Sequence, residues 1–330
     1  MKPRRVLVLG GTGTIGRASV RALMARGHEV VCPVRPTLRA TDRPSSNGAD
    51  SGISGAQLRP CDVTDPASLA RDGLRGERFD VLLSCLASRT GSPEDAWRID
   101  HDAHIGALRA AEAAGIPHMI LLSAICVQKP VLAFQKAKLA FERALMASEI
   151  DHTIVRPTAF FKSLSGQVER VREGKPFMVF GDGTLTACKP ISDRDLAEYL
   201  ADCIDDPGRR NRILPIGGPG EAITPRMQGE RLFAMLGRRP RFTRVPVALL
   251  DAIIFALDTV GRVAPPVRAK AELASIGRYY ATESMLVLDP ETGRYDAEAT
   301  PSTGSDTLFD YYERLLGGEE TAERGEHAVF

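Results

Sequence analysis

No two cysteines in this 330-residue chain stand in a C-x-x-C spacing. The six that exist, at positions 32, 61, 85, 126, 188 and 203, are scattered, and several fall in apolar runs such as Val81-Leu-Leu-Ser-Cys85. That argues against a disulfide framework and reads as buried free thiols in a reducing compartment. Charge of either sign is not in excess either: 43 Lys and Arg face 42 Asp and Glu, for a net charge of +1. No global field therefore recruits nucleic acid or an anionic membrane, and no nucleic-acid partner is expected. A run of about 18 uninterrupted apolar residues, the length a spanning helix needs, is also missing. The greasiest segment, Val245 to Val263, is broken by Asp251, Asp258 and Arg262. It reads as a packed helix, with peripheral membrane contact kept open. Met1-Lys-Pro-Arg-Arg5 runs straight into a strand, which leaves no room for a signal or transit peptide and sets the expectation of a cytoplasmic protein. No internal repeat is found.

What is present alternates between two periods. Short apolar runs at Val6–Leu9, Glu29–Val34, Gln57–Arg59, Phe79–Ser84, His118–Leu122 and His152–Val155 read as strands. Helical patterns fill the gaps at Ile15–Arg26, Asp65–Leu74, Glu94–Ala114 and Val131–Ala147. Strands separated by helices give an α/β fold, a doubly wound parallel sheet of Rossmann type. Residues 1–156 form this Rossmann-type domain. After residue 156 the rhythm changes to mixed helices and short strands, including Arg212–Ile216, which reads as a smaller substrate lobe over 157–316, partly interleaved with the first domain. The segment 36–55 reads as a surface loop, and the polar tail 317–330 as disordered.

Gly10-Gly-Thr-Gly-Thr-Ile-Gly16 joins the first strand to the first helix. Glycines at 10, 13 and 16 allow a tight turn and a close approach of backbone to a pyrophosphate, with Thr12, Thr14 and Ile15 completing the loop and the helix N-terminus meeting the phosphate charge. The second strand ends on Val34-Arg35, where an NAD-selective site would carry an acid for the ribose 2′-hydroxyl. Arg35 suits a 2′-phosphate instead, which favours NADPH over NADH. Arg39 and Arg43 are either helpers or solvated loop charge. Asp62 and Val63 after the third strand are placed by the adenine, and Ser84 to Ala87, with Leu86 and Ala87 foremost, by the ribose and nicotinamide.

Ser123 closes the fifth strand, and Lys138 lies fifteen residues on, in a helix. This resembles the catalytic group of short-chain dehydrogenases, in which a tyrosine stands four residues before the lysine. Here that position is Phe134. A carbonyl reductase needs the phenol to protonate an oxyanion, so Phe134 argues against a simple ketone. Lys138, preferred to Lys136, keeps the ability to bond a nicotinamide ribose, and Ser123 the ability to donate a hydrogen bond. Hydride transfer to a conjugated carbon–carbon double bond fits, and so does a non-catalytic NADP-binding sensor or assembly protein. His101 and His104, one helical turn apart, lack further ligands and read as a helix-surface pair, so no metal is expected. Asp193 and Asp195 read as the first turn of a helix, and Gly217 to Gly220 as a loop.

Several longer stretches carry a more specific resemblance. Leu122-Ser-Ala-Ile-Cys-Val-Gln-Lys-Pro130, Phe134-Gln-Lys-Ala-Lys-Leu139, Ile154-Val-Arg-Pro-Thr-Ala-Phe-Phe-Lys-Ser-Leu-Ser-Gly-Gln167 and Arg278-Tyr-Tyr-Ala-Thr-Glu-Ser-Met285 are similar to the divinyl chlorophyllide a 8-vinyl-reductases, NADPH-dependent atypical short-chain dehydrogenases of NmrA-like type. The similarity runs from Arg5 to about Leu316. It implies reduction of the 8-vinyl group of a divinyl (proto)chlorophyllide to ethyl, in chlorophyll or bacteriochlorophyll synthesis. Because plant members carry a transit peptide, it also sets the expectation of a photosynthetic bacterium as source. A flat, apolar pigment with one propionate needs aromatic walls and a cation. Phe160 and Phe161 are the candidates for the walls, and Arg156 and Lys162 for the propionate. Asp182, Thr186, Cys188 and Lys189 are rim candidates. Water, Lys138, Tyr279 and Tyr280 are the candidates for the proton donor. Reduction of another conjugated alkene is the further alternative. Oligomeric state leaves no sequence signal.

Overall fold

The computed structural model describes residues 2–36, 53–261 and 265–320, with the side chains of 260–269 left aside. Seven parallel strands form the main sheet: β1 (Arg5–Leu9), β2 (Glu29–Val34), β3 (Gln57–Pro60), β4 (Val81–Ser84), β5 (His118–Leu122), β6 (Asp151–Pro157) and β8 (Arg212–Ile216), in the order β3-β2-β1-β4-β5-β6-β8. Between β6 and β8 the chain makes β7 (Phe177–Phe180), which pairs in parallel with β9 (Phe242–Val245) in a separate two-stranded sheet.

The strands are buried on both faces, so they read as continuous apolar runs. Their period of two still sorts the side chains. Val6, Val8, Val30, Leu83, Ile120 and Val155 face one layer of helices. Leu7, Leu9, Val31, Leu82, Met119 and Ile154 face the other. The first layer holds the Thr14–Ala25 helix against the Asp193–Asp205 helix, whose Leu196, Leu200 and Ala201 share its core. Asp193 and Asp195 open that second helix, where Ser192 caps the Asp195 N–H. The helix and β8 both come from beyond residue 156, so the second half of the chain is threaded into the first. A third core, with Phe177, Phe233, Tyr279 and Tyr312, fills the lobe over the carboxyl ends of the strands.

Sheet order reverses between β1 and β4, and ligands bind in the crevice outside such a switch point. The residues that close it are in tight contact: a Cβ placed on Gly10 would lie 2.7 Å from the Cys85 carbonyl oxygen.

One sequence expectation holds and one is corrected here. Val247–Gly261 is the packed helix expected, lying against the Pro265–Thr282 helix, with Leu249, Ile253 and Phe255 left exposed on its outer face, the last at 75%. Residues 317–320 are ordered, because Gly318 adopts φ +76° as the helix C-cap and Arg314 pairs with Glu320 at 2.7 Å. The rest of the expected tail lies outside the described residues.

Candidate active site

Three glycines of the first loop have three different reasons to be glycine. Gly10 needs φ +74° and touches the end of β4. Gly16 faces its own loop, where a Cβ would come within 2.1 Å of the Gly10 oxygen. Gly13 is the helix N-cap, and a Cβ there would meet only the Gly10 oxygen at 3.4 Å. No side chain caps this helix. The N–H groups of its first turn, beginning at Thr14 and Ile15, are thus left for an outside acceptor, and the open face of Gly13 leaves room for one. The residues fit the diphosphate of a dinucleotide.

The strand ends line up beside this loop. Arg35 is exposed at the end of β2 and lies in electrostatic reach of Asp62 at the end of β3. Asp62 accepts from the hydroxyl and the N–H of Thr64, at 2.7 and 2.9 Å, and these bonds lower its pKa. Val63 packs on the core. Leu86 and Ala87 follow β4 into a cavity of about 410 Å³. Arg39 and Arg43 lie outside the described residues.

That cavity also receives Phe134 and Lys138. Lys138 pairs with Asp100 at 2.9 Å, and the Ser88 hydroxyl donates to the same carboxylate at 2.6 Å. Lys136 is exposed, which removes the competing lysine from the site. Neither Asp100 nor Ser88 stood out in the sequence. The available signal was Asp100's place on the apolar stripe with Ala96, Ala103 and Ala107, where a charge must find a partner.

Ser123 lines the cavity, but its single hydroxyl proton goes to buried Glu142, whose carboxylate is also held by Arg156. This corrects two expectations. Ser123 has no proton left to donate to a ligand. Arg156, with its Nε 3.2 Å from Glu142, is committed to that carboxylate rather than to a propionate, and does not line the cavity.

The aromatic pair divides. Phe160 lines the cavity, whereas Phe161 is buried in the lobe core against Tyr311, at 5.6 Å between ring centres. Lys162 turns the other way: its Nζ is 3.4 Å from the Thr14 hydroxyl on the glycine loop. Tyr279 is buried, donates to the Cys126 carbonyl at 2.8 Å and does not line the cavity. Tyr280 lines it, with its pKa pushed well above the ordinary phenol range by desolvation and by Cys126. Thr186 and Cys188 reach the cavity with Met178, Phe180 and Leu185. Lys189 instead donates to the Thr300 carbonyl, and Asp182 closes a turn with Thr184.

His101 and His104 are not a surface pair. His104 is 1% exposed, 2.9 Å from the Ser84 hydroxyl, and burial pushes its pKa down to about 4. Among the described residues no group of three or more potential metal ligands occurs. All six cysteines are free, and burial raises Cys32, Cys85 and Cys188 to about 12.

Comparison with known proteins agrees with this geometry. A family model described as NAD(P)H-binding matches residues 10–207. The divinyl chlorophyllide a 8-vinyl-reductase, chloroplastic, of Oryza sativa subsp. indica is 52% identical over 333 residues, covering 98% of this chain and 82% of the relative. The photosystem II assembly factor Ycf39 of Synechocystis sp. is 27% identical over 250 residues, covering 74% of this chain and 72% of the relative. The NADPH-dependent quinone oxidoreductase QOR2 of Escherichia coli, solved with NADPH, superposes with a TM-score of 0.67 at 19% identity, covering 94% of this chain and 99% of that one. It shares the fold. The expected bacterial, cytoplasmic location is overturned, because four relatives that match 98–100% of the chain are named as chloroplastic. No helix among the described residues is long and apolar enough to cross a membrane.

Proposed function

Because the chain belongs to the divinyl chlorophyllide a 8-vinyl-reductases, oxidoreductases with an NAD(P)H-binding domain, we propose that it reduces the 8-vinyl group of a divinyl chlorophyllide-type tetrapyrrole to ethyl, with NADPH as reductant, in chlorophyll-type pigment synthesis. The observation that carries this reading is Phe134. The lysine expected beside the nicotinamide is kept in the cavity wall, and the residue one helical turn before it is an aromatic ring without a hydroxyl. A vinyl group conjugated with a macrocycle spreads the charge of its reduction over the ring, so no phenol is needed at the reacting atom.

Bound NADPH would supply the hydride. The protein's share is to hold the two partners face to face, which removes much of the entropic barrier. Gly13 and the first turn of the Thr14–Ala25 helix take the diphosphate, and Lys162 reaches the same loop. Arg35 supports NADPH over NADH, since no acid stands at the end of β2. Phe160, Phe180, Leu185 and Met285 offer the apolar walls that a flat pigment needs. Of the candidate proton donors, Lys138 and Tyr280 line the cavity, and desolvation with Cys126 raises the Tyr280 pKa, which makes it a weaker acid than an ordinary phenol. These walls come from the second half of the chain, over 157–316, which we assign as the substrate lobe.

The Val247–Gly261 helix supports peripheral contact with an anionic membrane surface. Its exposed Leu249, Ile253 and Phe255 are preceded in the chain by exposed Arg239, Arg241 and Arg244. An exposed apolar helix face that follows arginines in the chain suits the interfacial layer of such a bilayer. The helix packs on the Pro265–Thr282 helix, whose Ile276 and Tyr280 line the cavity. A pigment held in that layer would thus meet the protein close to its site.

The test of the function is conversion. Purified protein, NADPH and 3,8-divinyl chlorophyllide a are incubated and the pigments separated by chromatography. Monovinyl product is expected, formed faster with NADPH than with NADH. Protein that binds NADPH and converts nothing would point to an assembly role like that of the 27% identical Ycf39 relative.

A further inference from the structure

We propose that Asp100, backed by Ser88, is the positioning residue of Lys138, and fixes the ammonium on the cavity wall that the missing phenol would otherwise share. The inference rests on the reading of Lys138 as the group that meets the nicotinamide ribose.

Asp100 is 1% exposed, yet it lines the cavity together with Lys138 and Ser88. A carboxylate so far from water must be paired and hydrogen-bonded to remain there. Both requirements are met from opposite sides. Lys138 Nζ lies 2.9 Å from one oxygen, and the Ser88 hydroxyl donates to the other at 2.6 Å, with the Ser88 N–H 3.4 Å from the first. Ser88 belongs to the chain segment that leaves β4 through Leu86 and Ala87. The carboxylate therefore ties the lysine's helix, Ala133–Met146, to the segment expected under the nicotinamide.

Its own element is unusual. Residues Trp97–Ala103 are wound as a π-helix between the α-helical turns Pro93–Ala96 and His104–Ala113. Such insertions re-aim side chains and are frequent at functional sites. Lysine alone is a compact charge on a flexible four-carbon stem. Where a tyrosine would stand beside it, this chain has Phe134, which offers no polar atom. Asp100 supplies the missing anchor. The ammonium has three N–H donors, so an anchored Lys138 can still face a ribose hydroxyl.

NADPH affinity, measured by titration on wild type, Asp100→Asn, Lys138→Met and the double variant, tests this without pigment turnover. Asparagine keeps the shape and the Ser88 contact and removes the charge. Asp100→Asn is expected to weaken NADPH binding about tenfold, Lys138→Met at least as much, and the double variant no more than Lys138→Met alone. Melting temperatures, read in parallel, separate folding from positioning. Losses that multiply in the double variant, or an Asp100→Asn protein that melts lower but binds NADPH as wild type, would mean a structural residue and overturn the proposal. If Lys138→Met alone fails to fold because it strands the buried carboxylate, Asp100→Asn decides by itself: wild-type affinity overturns the proposal. Failure here leaves the pigment assay unaffected, so the two readings fall separately.

Discussion

A methyl group on Gly16 would lie 2.1 Å from a carbonyl oxygen, whereas one on Gly13 would meet nothing closer than 3.4 Å. Gly16→Ala must therefore move backbone and is expected to lower stability by about 1–3 kcal/mol, read as a lower melting temperature without cofactor. Gly13→Ala is expected to melt like wild type and to lose at least about tenfold in NADPH affinity, or roughly 1.4 kcal/mol, because only the bound phosphate needs that space. At Arg35 the charge is the point: Arg35→Ala should weaken NADPH by about 10- to 100-fold and leave NADH within a fewfold, by parallel titrations. Equal losses for both cofactors would remove the 2′-phosphate argument. These positions were legible in the sequence because each is tied to a strand end. Asp100 and Glu142 were not. Their meaning lies in partners 38 and 14 residues away, Lys138 and Arg156, and nothing local in the chain announces such a pair. Arg156 shows the same gap from the other side, since a cation near the site looked available until buried Glu142 was found beneath it.

At the scale of elements, the strands of the first half fall where the apolar runs place them, and β2 and β5 keep their expected ends. Glycine, proline or a polar turn bounds each run, and a buried parallel strand has little else to hide. The lobe was harder to read, because β7 and β9 are four-residue strands in a two-stranded sheet and show no period that a loop could not. The Val247–Gly261 helix packs as its apolar content suggests, but through one stripe only, at Val247, Leu250, Ile254 and Leu257, which is half-buried. Its outer face leads to a prediction. Wild-type protein should sediment with phosphatidylglycerol-containing vesicles and not with neutral ones. Phe255→Glu should reduce that binding by roughly tenfold or more while leaving NADPH affinity unchanged. Equal binding of the variant would remove the helix from the contact.

The whole molecule carries a pH signature. Burial holds His104 and His118 at about 4, below the ordinary 6.5. Between those values the unfolded chain takes up protons that the folded chain refuses, so stability is full above about pH 6.5 and falls as pH drops towards 4. Each histidine contributes a slope of about 1.4 kcal/mol per pH unit in that window. Urea unfolding at pH 7, 6 and 5 should show the loss, and His118→Asn should remove only the His118 share of the slope while His104 keeps its own; an unchanged slope would contradict the burial argument. The cavity is lined by both halves of the chain, and the central claim is that a hydride from bound NADPH would cross it to the vinyl group. The most direct measurement uses NADPH deuterated at the transferable position with 3,8-divinyl chlorophyllide a in ordinary water. One deuterium in the new 8-ethyl group of the product is expected, located by mass spectrometry and NMR. An ethyl group free of deuterium, or no ethyl product from protein that binds NADPH, would contradict the account.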